Sequence, residues 1–158
     1  MNKKAEELMF ANLLTFGDEG KITLFEYPAF LFPSEYILKV EEIIEPNKIY
    51  ELAKHIPMPI IKILTDRKMN ELERLDFLLE LAEVLGMGSI NVPDFQKDNK
   101  VHKIIINNST TNKISCNHTR GYLATVFSDS LKKDFECEEK ECISKGNSQC
   151  VFILSIKD

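Results

Sequence analysis

Four cysteines, Cys116, Cys137, Cys142 and Cys150, fall in the last third of this 158-residue chain. Three of them form with Glu139 the spacing C-x22-E-x2-C-x7-C. Thiolate is a soft ligand, and tetrahedral sites built mostly of Cys favour zinc. The other fates of such thiols are pairing as disulfides or burial as small hydrophobes, the usual state of a lone cysteine. The sequence shows no P-loop, Rossmann glycine pattern or G-x-S-x-G elbow that would compete for the function.

The elements that must position these thiols are readable. Lys145-Gly146-Asn147 is turn chemistry between 135–143 and 149–156, which read as the strands of a β-hairpin. Symmetric pairing about Gly146 sets Cys142 opposite Cys150 on one sheet face. Cys116 stands where a helix opens, capped at Ser115 or Asn117 and carrying Tyr122, Leu123, Val126, Phe127 and Leu131. A helix N-terminus has partial positive charge and stabilises a thiolate, so this helix, packed on the hairpin, supplies a third ligand. The fourth stays open between Glu139 and Cys137. Both lie an odd number of residues from Cys142, on the opposite face of an ideal strand, and a bulge or a late strand start is needed to bring either one in.

Upstream, residues 4–16 have helical spacing through Leu8, Leu13 and Phe16, and a strand from Ile22 is interrupted at Pro28. Helices follow from Ser34, with Ile37, Val40, Ile43 and Ile44 inward, and from Asn47, with Ile49, Leu52, Ala53 and Ile56 inward. Pro57 and Pro59 break the pattern. It returns most strongly over 71–85 through Leu72, Leu75, Leu78, Leu79, Ala82 and Leu85. Residues 88–95 and 100–108 read as strands. Helices first, then strand-strand-helix-strand-strand, predict an α+β fold in which an antiparallel four-stranded sheet is covered by helices.

A net charge of −5 argues against a nucleic-acid footprint, and no apolar run reaches the length of a membrane span. Charges interrupt what would be the h-region of a secretory signal. The expected compartment is the cytoplasm, where clustered cysteines more often bind metal than pair. Abundant Lys, Glu and Ile with scarce Gln lean towards a thermophile, a setting in which intracellular disulfides can persist. His118 diverges from Cys116 by roughly 200° on a helix, which argues against its joining the site. His102 shares a strand face with Ile104 and Ile106 and reads as a buried, hydrogen-bonded histidine.

Residues 116–154, CNHTRGYLATVFSDSLKKDFECEEKECISKGNSQCVFIL, resemble the 4-vinyl reductase domain family, which is related in fold to subunits of the TRAPP vesicle-tethering complexes. The marks are the helix beginning at Cys116 with Gly121-Tyr122-Leu123, then E-x2-C-x3-G-x3-C and an apolar strand. The resemblance implies a zinc held by Cys116, Glu139, Cys142 and Cys150, as in the phenol-responsive sensor domains of that family. It thereby prefers Glu139 over Cys137. It also implies a domain over 19–158, which leaves 1–18 as an added helix for pairing two chains.

The family further implies a pocket beside the zinc for a small apolar or aromatic molecule, lined here by Phe95, Arg120 and Cys137. Arg120 stands where the sensors carry an aromatic, and the chain has no Trp. An Arg facing such a pocket favours an acidic or phosphorylated ligand over phenol. Four protein ligands leave a zinc no open position, which makes it structural. The leading expectation is a zinc-stabilised binding or sensor domain, a homodimer that signals through a partner protein. One alternative is reduction of a vinyl group on a tetrapyrrole-like substrate, although no redox cofactor motif is visible. Another is a ligand-free assembly protein of the tethering-complex type.

Overall fold

The computed structural model of the chain describes residues 14–16, 22–24, 27–28, 34–109 and 116–157. It divides into two units, Met1–Pro33 and Ser34–Asp158. The first holds a three-stranded antiparallel sheet, β1 (Leu14–Phe16), β2 (Ile22–Leu24) and β3 (Tyr27–Pro28), in that order. The helix expected over 1–18 is corrected at its end. Leu14, Thr15 and Phe16 pair as strand with Leu24, Thr23 and Ile22. Both segments alternate apolar residues around a Thr, and cross-strand pairing prevails over helical spacing there. The remainder of that expectation lies outside the described residues.

The second unit begins with α1 (Ser34–Ile43), α2 (Pro46–Ala53), α3 (Met58–Asp66) and α4 (Glu71–Val84). It continues with β4 (Ser89–Asn91), β5 (Val101–Asn107), α5 (Asn117–Leu131), β6 (Phe135–Glu141) and β7 (Cys150–Ile156). The four strands form an antiparallel sheet in the order β4-β5-β7-β6. The α+β architecture expected from the order of elements is therefore present. The prolines expected as breaks open α2 and α3, in first-turn positions where a missing N–H costs nothing. Asn70 begins α4 with a reciprocal cap: Glu73 N donates to Asn70 Oδ1 at 3.0 Å, and Asn70 N to Glu73 Oε2.

Helix α5 is the centre of this unit, buried through Tyr122, Leu123, Ala124, Val126, Phe127 and Leu131. A helix buried on most sides shows little amphipathic stripe, so its sequence alone does not say which side meets what. One side meets the sheet face carrying His102, Ile104 and Ile106 on β5 and Cys150, Phe152 and Leu154 on β7. Another meets α2 so closely that a Cβ at Gly121 would lie 2.3 Å from Tyr50 O and 2.7 Å from Ala53 Cβ. On α4, Leu78 O accepts from Tyr122 Oη at 2.7 Å, and Arg74 pairs with Asp129 at 2.9 Å.

Two helix faces differ from the expected ones. Ile43 on α1 is 81% exposed, and Glu41 is buried instead, accepting hydrogen bonds from His118. On α4, Leu72 and Leu85 are exposed while Arg74, Phe77 and Leu81 turn inward. The pairs to α5 rotate the buried stripe away from the one that leucine spacing marks. Among the described residues no helix is long and apolar enough to cross a membrane.

Candidate metal centre

The hairpin and α5 bring three thiols together. β6 pairs with β7 so that Glu141 faces Val151, and the next pair in that register is Cys142 with Cys150. Their sulfurs lie 3.9 Å apart. The turn after Cys142 closes through Lys145 N to Cys142 O at 3.0 Å and Gly146 N to Ile143 O at 3.0 Å, with Gly146 at φ +90°. That left-handed backbone is where glycine is needed. Cys116 is the N-cap of α5, its carbonyl accepting from Arg120 N at 2.9 Å. Its sulfur is 3.7 Å from both Cys142 Sγ and Cys150 Sγ.

All three residues are buried, and their ligand atoms could hold a metal ion. A tetrahedral ion ~2.3 Å from each sulfur spaces the sulfurs ~3.8 Å apart, the separation found here. The surroundings suit thiolate. Ile143 N points at Cys150 Sγ at 3.5 Å, and Ser144 Oγ lies 3.0 Å from Cys142 Sγ. The hydrogen bond from Cys116, aided by Ile143 N–H, brings the Cys150 thiol down to about 6. Burial, reinforced by neighbouring Glu139, pushes Cys142 up.

The obstacle of strand parity is removed by a β-bulge. The register of β6 slips between Glu139 and Glu141, so Glu139 faces Phe152 while Glu141 faces Val151. Lys140 is the extra residue. The slip puts Phe135, Cys137 and Glu139 on the same face as Cys142 and Cys150, where α5 buries them. Glu139 Oε1 accepts from Cys116 N at 3.1 Å and Oε2 from Lys145 Nζ at 2.8 Å. Burial works against its charge, but the hydrogen bonds from Lys145, Cys142 and Cys116 N–H outweigh it and hold the carboxyl below its usual range. The carboxylate thus borders the thiol group while engaged by a cation and a helix N-terminus.

The residues expected to line a pocket are placed differently. Arg120 and Cys137 do meet, but through Arg120 Nε donating to the Cys137 carbonyl at 2.9 Å. Arg120 Nη1 donates to Asn117 Oδ1 at 3.1 Å, and the guanidinium lies 5.0 Å from the centre of the Tyr50 ring. The arginine ties α5 to β6 and α2. Cys137 is buried, and desolvation pushes its thiol up to about 12. Phe95 stacks on His102 at 5.3 Å and meets Phe127 at 6.4 Å. His102 is 3% exposed, also touches Phe135 at 5.4 Å, and has no hydrogen-bond partner for Nε2. His118 does not join the thiols: its Nδ1 meets Glu41 Oε1 at 2.6 Å.

Sequence reasoning missed Lys145 and Ser144, which read only as turn residues, and Glu41, hidden in a helix whose isoleucines dominate its pattern. For Lys145 the available signal was its place between two of the clustered cysteines.

Fold and site together define a domain of the 4-vinyl reductase class, and residues 109–156 match the model of that domain. The structure is similar to a vinyl-4-reductase family protein from Methanocaldococcus jannaschii, with a TM-score of 0.60, 20% identity, and 82% of this chain and 85% of that one covered. It is also similar to the phenol-responsive sensory domain of the transcription activator PoxR with phenol (TM-score 0.76, 15% identity, 99% and 92% covered). A third similar structure is trafficking protein particle complex subunit 3 from Naegleria fowleri, covalently bound to palmitic acid (TM-score 0.53, 14% identity, 79% and 90% covered). In sequence, the chain is 26% identical over 119 residues to an uncharacterized protein of M. jannaschii, matching 70% of this chain and 64% of that protein's length.

Proposed function

We propose that this chain is a metal-stapled small-molecule sensor domain, in which a structural zinc held by Cys116, Cys142, Cys150 and Glu139 ties α5 to the β6–β7 hairpin. The observation that carries the metal is the set of three buried sulfurs 3.7–3.9 Å apart. Zinc fits better than a disulfide because each sulfur is almost equally near two others. Zinc would supply a fixed tetrahedral centre and no redox chemistry.

Support for the sensing half comes from the 4-vinyl reductase domain match and from likeness to a sensory domain solved with phenol. The ligand class is a small apolar or aromatic molecule held between α5 and the sheet near Phe95 and Cys137. Arg120 would set a preference for acidic ligands only by giving up its bond to the Cys137 carbonyl. The output passes through a homodimer or a partner protein in the cytoplasm.

A ligand-free assembly role, as in the tethering complexes, is the second reading. It is favoured by the rings of Phe95, His102, Phe127 and Phe135, which lie in mutual contact.

Elemental analysis and native mass spectrometry of untagged protein test both halves. One zinc per chain, lost in Cys142→Ser, supports the staple, and an extra bound mass supports the sensor. A bound flavin or nicotinamide would favour reduction of a vinyl group instead. Metal-free protein with free or oxidised thiols would overturn the zinc reading.

A further inference from the structure

We propose that Lys145 sets the metal affinity of the thiol centre by holding Glu139 and compensating its charge, an inference that rests on the zinc reading above. Three thiolates and a carboxylate around a divalent ion leave net negative charge in a buried place, where uncompensated charge is costly. Two positive features face that charge. One is the N-terminus of α5, through Cys116 N–H on Glu139 Oε1 at 3.1 Å. The other is Lys145 Nζ on Glu139 Oε2 at 2.8 Å.

The placement of Lys145 separates it from an ordinary surface pair. Lys140–Glu138 joins two groups that are both at least half exposed. Lys145 is 59% exposed at its own side chain, yet its partner Glu139 is only 6% exposed. The amine therefore closes the solvent side of a buried carboxylate. Its backbone is fixed by the same turn that positions two of the sulfurs, through Lys145 N to Cys142 O at 3.0 Å and a second bond from Asn147 Nδ2 to Cys142 O at 3.1 Å. The loop that brings the ligands thus also brings their counter-charge. If one carboxylate oxygen turns to the metal, the other remains on Lys145, which fixes the rotamer and keeps the oxygen anionic. The amine is a positioning group and does not touch the metal.

The test is zinc affinity, measured by competition with a chromophoric chelator, for the wild-type chain, Lys145→Met and Lys145→Arg, and again with Glu139→Gln in each background. Lys145→Met should weaken zinc binding by about tenfold to a hundredfold, the usual cost of losing an outer partner of a metal ligand, and Lys145→Arg by only about threefold. In the Glu139→Gln background Lys145→Met should add less than about threefold, because the partner through which it acts is gone. Cobalt-substituted Lys145→Met, saturated with metal, should keep the tetrahedral absorption of the wild type, showing an intact thiolate set. Equal affinities of wild type and Lys145→Met would overturn the role of Lys145 and leave the zinc reading standing. An undiminished effect in the Glu139→Gln background would show a charge effect that does not run through Glu139, and would also overturn it. A wild-type chain that takes up no zinc would overturn both.

Discussion

One face of the β4-β5-β7-β6 sheet carries two buried clusters of opposite character. Around Cys150 it gathers three sulfurs, a carboxylate and a lysine; around Leu154, four residues further along β7 and so ~13 Å away, it gathers Phe95, His102, Phe127 and Phe135. Helix α5 covers both, with its N-cap at the first and Phe127 at the second. In the thiol cluster nearly every polar group has a partner. The aromatic cluster leaves His102 Nε2 without one. The first is thus built to hold charge, and the second to exclude it. Losing a metal and losing packing should therefore be separable in one small domain.

The largest effect expected is at the thiols. Chelating zinc, or Cys142→Ser, should abolish metal stoichiometry and lower stability by roughly 4 kcal/mol or more, since a metal in 1,000-fold excess over its Kd contributes about that much. Thermal unfolding with and without chelator checks it, and a Tm unmoved by chelator would remove the staple. At the other cluster, Phe127→Ala deletes a fully buried ring and should cost about 3–5 kcal/mol. The folded fraction of that variant should still bind one zinc, as native mass spectrometry would show.

Between the clusters, Gly121→Ala forces a Cβ to within 2.3 Å of a backbone oxygen on α2. Overpacking of that kind should cost about 1–3 kcal/mol, read by urea denaturation, with zinc content unchanged. The smallest effect belongs to His102. Burial lowers its pKa from the ordinary 6.5, so the unfolded chain takes up a proton that the folded one refuses. Its stability contribution is present above pH 6.5 and is lost as pH falls towards the folded value. In chelator-treated protein, His102→Phe should flatten the decline in stability between about pH 6.5 and pH 5. An unchanged slope would assign that decline to other groups.

Local chemistry in the chain accounts for much of this arrangement. Lys145-Gly146-Asn147 centres the hairpin, and a centred hairpin must set Cys142 against Cys150 because strand pairing counts residues symmetrically from the turn. The opening of α5 at Cys116 follows from the loop-to-helix change in pattern, and a cap residue is bound to sit at the positive end of its helix. The four-stranded sheet follows from strands spaced around one helix. These features depend on neighbours in sequence, where periodicity and turn preference act.

Tertiary contact decided the rest. The bulge at Lys140 has no mark in the sequence; it exists because Phe135, Cys137 and Cys142 all find burial under α5, and only an extra residue lets both halves of β6 face it. That same slip is what brings Glu139 to Cys116 and Lys145. Arg120, by spacing a pocket residue, is taken by the Cys137 carbonyl and the Tyr50 ring. Glu41 displaces Ile43 from the inner face of α1 because His118 offers it two hydrogen bonds. In each case the partner lies at least 17 residues away in sequence, and no local pattern registers a hydrogen bond or a burial that only the folded chain can offer.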